Sequence, residues 1–175
     1  WGSTDFVGAY LEVDPYIAYT INSKFKFMLT DYNWNLLPGQ ISYKNYFEYD
    51  KDLTGHVIEV SAGFLGTEKY PFSIMLNTMV YGADKKASDP TKNQYSTYAE
   101  VNYNFPKWTL IAGVTPTDGY YGDGYGGFEG FSVCHLGASA TRKIKLSNDF
   151  ELPLKSTLVI NPQAEDIFLV FGFTF

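Results

Sequence analysis

Two histidines, His56 and His135, are the side chains in this 175-residue sequence available as histidine bases, and its one cysteine is Cys134. Acyl transfer needs a nucleophile held beside such a base, and neither histidine has a serine partner at a spacing that the sequence fixes. A single cysteine excludes an internal disulfide, and no Cys/His spacing fits a zinc site, so no metal is expected. Residues 122–127 read G-D-G-Y-G-G and formally match G-x-G-x-x-G. No helical pattern follows to supply the positive helix end that holds a pyrophosphate, so the stretch reads as a Tyr- and Gly-rich loop and no cofactor is expected. Asp118, Asp123 and Glu129 in that loop lack the spacing of a helix-loop-helix calcium site. What remains is a set of charges that share one phase of an alternating pattern: Glu12, Asp14, Glu59, Glu100, His135, Lys143 and Lys155.

The pattern that carries them has period two, which sorts side chains onto opposite faces of a strand and cannot do so on a helix. Over 94–105 one face reads Tyr95, Thr97, Ala99, Val101, Tyr103, Phe105 and the other Gln94, Ser96, Tyr98, Glu100, Asn102, Asn104. The same alternation predicts strands over 11–21, 25–34, 56–66, 72–83, 108–117, 131–143, 150–160 and 167–175. Met75 and Met79 are apolar exceptions on a polar face. The connections run short, long, short, long in chain order. The short ones cover 22–24, 67–71, 106–107 and 144–149, and the long ones 35–55, 84–93, 118–130 and the briefer 161–166. A meander with tight turns at one end and loose loops at the other is the pattern of an outer-membrane barrel.

Alternation alone does not say which face is enclosed. The polar phase is mostly Ser, Thr, Asn, Gly and Tyr with isolated charges, which suits a crowded polar interior better than a wet surface. Aromatic and charged residues are equally common, at 18% each, against about 25% charged in an ordinary soluble domain. Aromatics gather near predicted strand ends, where Tyr19, Trp34, Phe64, Tyr95, Phe105 and Trp108 would form two interfacial girdles. On this reading the apolar phase meets lipid and the seven phased charges line an acidic lumen favouring cations. His56 falls in the lipid-facing phase. A net charge of −6 without a basic cluster excludes nucleic-acid binding. No apolar run approaches the ~18 residues of a membrane helix. No basic, apolar, then small-residue leader starts at Trp1, so an export signal is expected to have been removed or to lie upstream.

The terminal stretch places Ile167, Leu169, Phe171, Phe173 and Phe175 on one face and ends on Phe, resembling the signal by which outer-membrane barrels are recognised for insertion. Residues 1–3, 12–19, the "TDY" of 30–32, 46–49, the "YSTYAE" of 95–100 and 152–175 with its "NP" resemble TorF-type porins, notably Bacteroidetes members. The resemblance spans nearly the whole chain and brings no catalytic signature. It implies an all-β, antiparallel, up-and-down transmembrane β-barrel in the bacterial outer membrane, built as a single domain over 1–175. About ten strands lie in this chain, with residues 1–3 as the tail of the tenth, and twelve if two more precede it. With the acidic lumen and the modest strand number, which lies between a filled barrel of about eight strands and an open channel of about 16, the expected function is a narrow porin for small polar or cationic solutes. The alternatives are a non-conducting accessory subunit contacting another outer-membrane protein and, third, a lipid-modifying enzyme.

Overall fold

The computed structural model describes residues 2–4, 11–35, 39, 41, 44–121 and 130–173. Among these the chain is all-β. The short strand β1 (Gly2–Thr4) pairs with β2 (Leu11–Val13). A nine-stranded antiparallel sheet follows, from β3 (Tyr16–Ile21), β4 (Phe25–Tyr32), β5 (Val57–Phe64) and β6 (Phe72–Gly82) through β9 (Thr97–Asn104), β10 (Trp108–Thr115) and β11 (Ser132–Lys145) to β12 (Glu151–Asn161) and β13 (Asp166–Phe173). A hairpin of β7 (Lys85–Lys86) and β8 (Asp89–Asn93) sits between β6 and β9. The nine strands expected from alternation are the nine of this sheet. The hairpin in the 84–93 connection was not legible, because two- and five-residue strands are too short to show a period. At the first tight turn Asn22 and Ser23 both have positive φ (51° and 54°), the twist-matched geometry that joins two adjacent strands.

The sheet is not closed into a barrel, contrary to expectation. Eight successive antiparallel steps separate β3 from β13, so these two edge strands run in the same direction and cannot pair antiparallel with each other. The strand expected over 11–21 is broken at Asp14 and Pro15, although both halves stay beside β4, through Val13 N–H to Asn33 C=O and Asp31 N–H to Pro15 C=O (each 3.0 Å). Gly2–Thr4 then lies on the far side of β2, where the tail of a tenth strand was expected.

Burial shows which side of the sheet is enclosed. Val60 and Val101 are 46% exposed and Leu169 is 62% exposed, whereas Glu59 on the opposite face is 1% exposed. Phe27, Leu29, Ile74, Leu76, Leu110, Leu136 and Leu158 extend the exposed apolar face from β4 to β12. The buried residues are mostly polar: Thr30, Ser61, Ser96, Thr115, Ser132 and Ser139 join Glu59. A water-soluble sheet sorts its faces the opposite way. Two bulges adjust the phase. Ile58 faces Tyr81 while Glu59 faces Met79, so Val80 is the extra residue in β6 and Tyr81 moves to the apolar face. Gly113 faces His135 while Val114 faces Val133, so Cys134 is the extra residue in β11.

Candidate functional site

The polar face is organised in rows that cross the strands. One row runs Thr30, Glu59, Met79, and a second runs Met28, Ser61, Asn77, Tyr98. A third runs Lys26, Gly63, Met75, Glu100, Gly113, His135. All three methionines of the chain therefore stand among the carboxylates. Gly63 leaves room for one of them, since a Cβ there would come within 2.7 Å of the Met75 sulfur and 2.5 Å of Ile74 C=O.

Glu59 accepts a hydrogen bond at Oε1 from the Tyr32 hydroxyl (3.1 Å), and its Oε2 is buried with no hydrogen-bond partner among the described residues. Glu100 is more fully held. The Tyr98 hydroxyl donates to Oε2 (2.6 Å) and the Asn102 amide to Oε1 (2.8 Å), while His135 Nδ1 lies 2.9 Å from that hydroxyl and 3.5 Å from Oε2. Tyr98 reaches this position only because residue 113 is glycine, where a Cβ would stand 2.2 Å from the Tyr98 oxygen. Asp14 is 4% exposed and lines a pocket of about 440 Å³ with Glu12, Tyr16, Met28, Thr30 and Tyr32. The structure thus gathers Asp14, Glu59, Glu100 and His135 on the enclosed face, with Glu12 beside Asp14. Lys143 and Lys155 hold the same phase but are exposed, and Lys143 Nζ sits 3.5 Å from Glu151 at the turn end of β11.

At the long-loop end the connections fold over the polar face. Tyr121 stacks on Tyr98 (centroids 5.2 Å apart), and Tyr120 meets Trp34 edge-on at 5.5 Å. Four strand spacings separate β4 from β10, about 19 Å in a flat sheet, so the Trp34–Tyr120 contact requires the sheet to curl, the loop after β10 to lean inward, or both. Trp34, one of the residues expected in a girdle, is half-buried at this long-loop end against Tyr120. The 122–127 glycine motif lies outside the described residues, as does Phe175.

A buried hub ties the loops together. Ser96 donates from N–H to Asp84 Oδ2 (2.8 Å) and from Oγ to Asp84 Oδ1 (2.7 Å), and Tyr120 N–H donates to Ser96 Oγ (3.0 Å). Burial raises the Asp84 carboxyl above its ordinary range, and the Ser96 donors pull it partly back. Ser96→Ala is expected to cost about 1–3 kcal/mol, the range for orphaning buried partners. Because the lost hydroxyl favours ionised Asp84 while the backbone N–H donor remains, the loss should be greater at pH 8 than at pH 5. Denaturant titration of the folded chain at both values checks it, and equal losses would contradict the role given to Asp84.

His56 forms a second tie, and its position corrects the lipid-facing expectation. It is fully buried. Its Nδ1 lies 2.7 Å from Asp31 Oδ1 and its Nε2 meets the Tyr46 carbonyl, while Tyr49 stacks on the ring at 4.3 Å. The strand pairing begins only at Val57, so His56 is free of the pleat and turns toward the loop. Both ring nitrogens are engaged, leaving none to act as a base on a substrate. Tyr49 donates to Asp31 Oδ2 (2.8 Å) and Tyr81 to the Tyr49 carbonyl (2.6 Å), so the 44–55 segment is pinned to β4 and β6.

Comparison with protein-family models, with curated proteins and with solved structures finds no match. The remaining aromatics expected near strand ends are placed as follows. Phe64 packs between Phe25 and Phe72 (5.7 Å each) and Phe105 stacks on Trp108 at 3.9 Å, all at the short-turn end. Tyr19 is exposed on β3, and Tyr95 is exposed at the long-loop end with φ of 59°. Phe171 and Phe173 are exposed on the apolar side of β13. Sequence reasoning placed Ser96 on a polar strand face but missed it as a tie, and missed Asp31, Asp84 and Asn33, whose side-chain amide lies 3.0 Å from His56 Nε2. These residues lie at strand ends or in loops, where alternation says little about partners.

Proposed function

We propose that this chain forms the wall of a bacterial outer-membrane barrel, its exposed apolar face against lipid and its carboxylate-bearing face toward a narrow, cation-preferring lumen. The observation that carries the proposal is the inverted sheet: large aliphatic side chains exposed across nine strands over a face where Glu59 and Ser61 are buried. An apolar surface this extensive is a liability in water and an asset in hydrocarbon. The resemblance to TorF-type porins points the same way, and a barrel needs at least one further strand between β3 and β13. Narrowness is supported by Tyr120 and Tyr121 leaning over the polar face and by side chains that hydrogen-bond to one another across it.

The test is single-channel recording in planar bilayers. The expected result is a small cation-selective current whose permeability ratio falls toward unity in Glu59→Gln/Glu100→Gln, because removing fixed negative charge removes the preference. A current with unaltered selectivity would sink the acidic-lumen mechanism. A specific observation favours a second reading: the His56 and Asp84 ties knit the loop end together, as a non-conducting accessory subunit would require. No current from either protein, with a stoichiometric partner copurifying from native membranes, would favour that reading. The lipid-modifying enzyme has the least support of the three, since both ring nitrogens of His56 are engaged and His135, held at Nδ1 by Tyr98, has a buried Nε2 with no nucleophile bonded to it among the described residues.

A further inference from the structure

The chain carries a net charge of −6, yet four of its cations converge on one pocket. Lys51, Lys85, Lys86 and Lys92 line a cavity of about 470 Å³ beside the β7–β8 hairpin at the long-loop end, and none of its nine lining residues is acidic. The hairpin creates the cluster, because the β7–β8 register sets Lys85 opposite Asn93 and Lys86 opposite Asp89. Nearby carboxylates offset part of this charge, since Asp89 lies opposite Lys86 and acts on it through space, as Asp84 does on Lys85. Lys92 Nζ pairs with Asp89 at 2.8 Å and Lys51 makes a loose 3.8 Å contact with Asp52, whereas Lys85 and Lys86 form no ion pair among the described residues. Lys85 Nζ instead donates to Asn93 Oδ1 (2.9 Å), which fixes its position without neutralising it. Asp84, the neighbouring carboxylate, is buried and turned onto Ser96. Lys85 and Lys86 thus line the cavity outside any ion pair among the described residues, and four lysines there outnumber the carboxylates beside them.

The rest of the lining is suited to a sugar. Tyr81 and Tyr95 border the cavity, and Tyr95 is 54% exposed. Exposed tyrosine rings offer an apolar face that a pyranose can cover, and Thr91 and Gln94 stand in the same wall, the Thr91 hydroxyl donating to Asp89 (2.6 Å) and the Gln94 amide to the Asp118 carbonyl (3.0 Å). Lysine ammonium groups bind phosphate as point charges, and several converging on one oxyanion compensate its charge of nearly two.

We propose that this pocket binds a phosphomonoester carried on a saccharide, whether as a soluble sugar phosphate or as the headgroup of a phosphorylated glycolipid. The site is separate from the polar face of the sheet and does not depend on conduction through it.

The test is isothermal titration of the full chain, folded in nonionic detergent and in phosphate-free buffer, with glucosamine 1-phosphate, glucosamine and inorganic phosphate as separate probes. The expected result is saturable binding of the sugar phosphate, weakened at least tenfold in Lys85→Gln/Lys86→Gln, unchanged in Lys107→Gln at the opposite end of the sheet, and absent for glucosamine. Tyr95→Ala should weaken the sugar phosphate and leave inorganic phosphate unaffected. A parallel arm measures flotation with vesicles containing a phosphorylated glycolipid. Lysine-dependent binding to those vesicles with none to the soluble sugar would support the shared chemistry and assign the lipid source. Absence of binding in both arms, or binding indifferent to the lysine pair, would overturn the proposal. Inorganic phosphate binding as tightly as the sugar phosphate would overturn the saccharide half of it.

Discussion

Val101→Arg should abolish or strongly impair insertion of the chain into lipid vesicles, at a cost of about 2–4 kcal/mol, the range for Arg at the middle of a barrel's lipid face. Val101 sits centrally in β9, opposite Ile74 and Ala112, and is 46% exposed. In water the same replacement at such an exposed site would fall within about 0.5 kcal/mol, since a charge on a solvated surface is neither buried nor unpaired. The two environments therefore predict outcomes of different size for one substitution. Val60→Arg, 46% exposed on β5, should repeat the loss, and because the two residues lie on strands separated by β6 the double variant should be close to additive. Urea titration of vesicle-inserted protein measures it. Unchanged midpoints for both variants would contradict the lipid-facing assignment.

Gly82→Val should be the most damaging single change at the loop end. Gly82 has φ of +98°, where a β-branched residue is strained by about 1–3 kcal/mol. A Cβ there would also stand 2.0 Å from the His56 carbonyl oxygen. That carbonyl accepts from Ala83 N–H at 2.8 Å, so relieving the clash means parting β6 from β5 at the residue pair Val57 and Gly82 and loosening the His56 tie. The combined loss is expected to exceed about 3 kcal/mol, in the range that marks a specific structural defect. Gly130→Val isolates the conformational part, because Gly130 has φ of +95° with nothing among the described residues within 4 Å of the added Cβ. Its loss should stay within the strain range alone. Equal midpoint shifts for the two variants would show that the His56 contact contributes nothing.

The contrast between these two glycines indicates what the amino-acid pattern could and could not reveal. Alternation located nine strands because each face of a strand meets a different environment along its whole length, and Glu59 against Val60 or Glu100 against Val101 shows that sorting residue by residue. It also foresaw the methionine exceptions, since Met75 and Met79 do lie on the polar face. Alternation fails where pairing stops or slips. His56 precedes the first paired residue of β5 and turns inward. Tyr81 crosses to the apolar face after the Val80 bulge, a one-residue change that no periodic reading of β6 contains. Trp34 was read as a girdle residue from its type and its place near a strand end, and its contact with Tyr120, 86 positions away, was not legible because long-range partners leave no local trace. Closure was inferred from the meander, yet an odd number of antiparallel strands leaves two parallel edges, and β3 and β13 remain open. The lysine pocket was hidden by the acidic net charge, which averages over the chain what the hairpin concentrates at one point.

The central claim is that the aliphatic face of the sheet contacts hydrocarbon. It is tested most directly by spin labels placed singly along β9, at Val101 and Tyr103 on one face and at Glu100 and Asn102 on the other, in protein inserted into lipid bilayers. Collision rates with dissolved oxygen and with a water-soluble nickel chelate should alternate with period two. Labels at 101 and 103 should be reached by oxygen and shielded from the chelate, and those at 100 and 102 should lose that oxygen preference. Labels at 101 and 103 that meet the chelate freely, or that meet neither reagent because they are packed inside protein, would contradict the account.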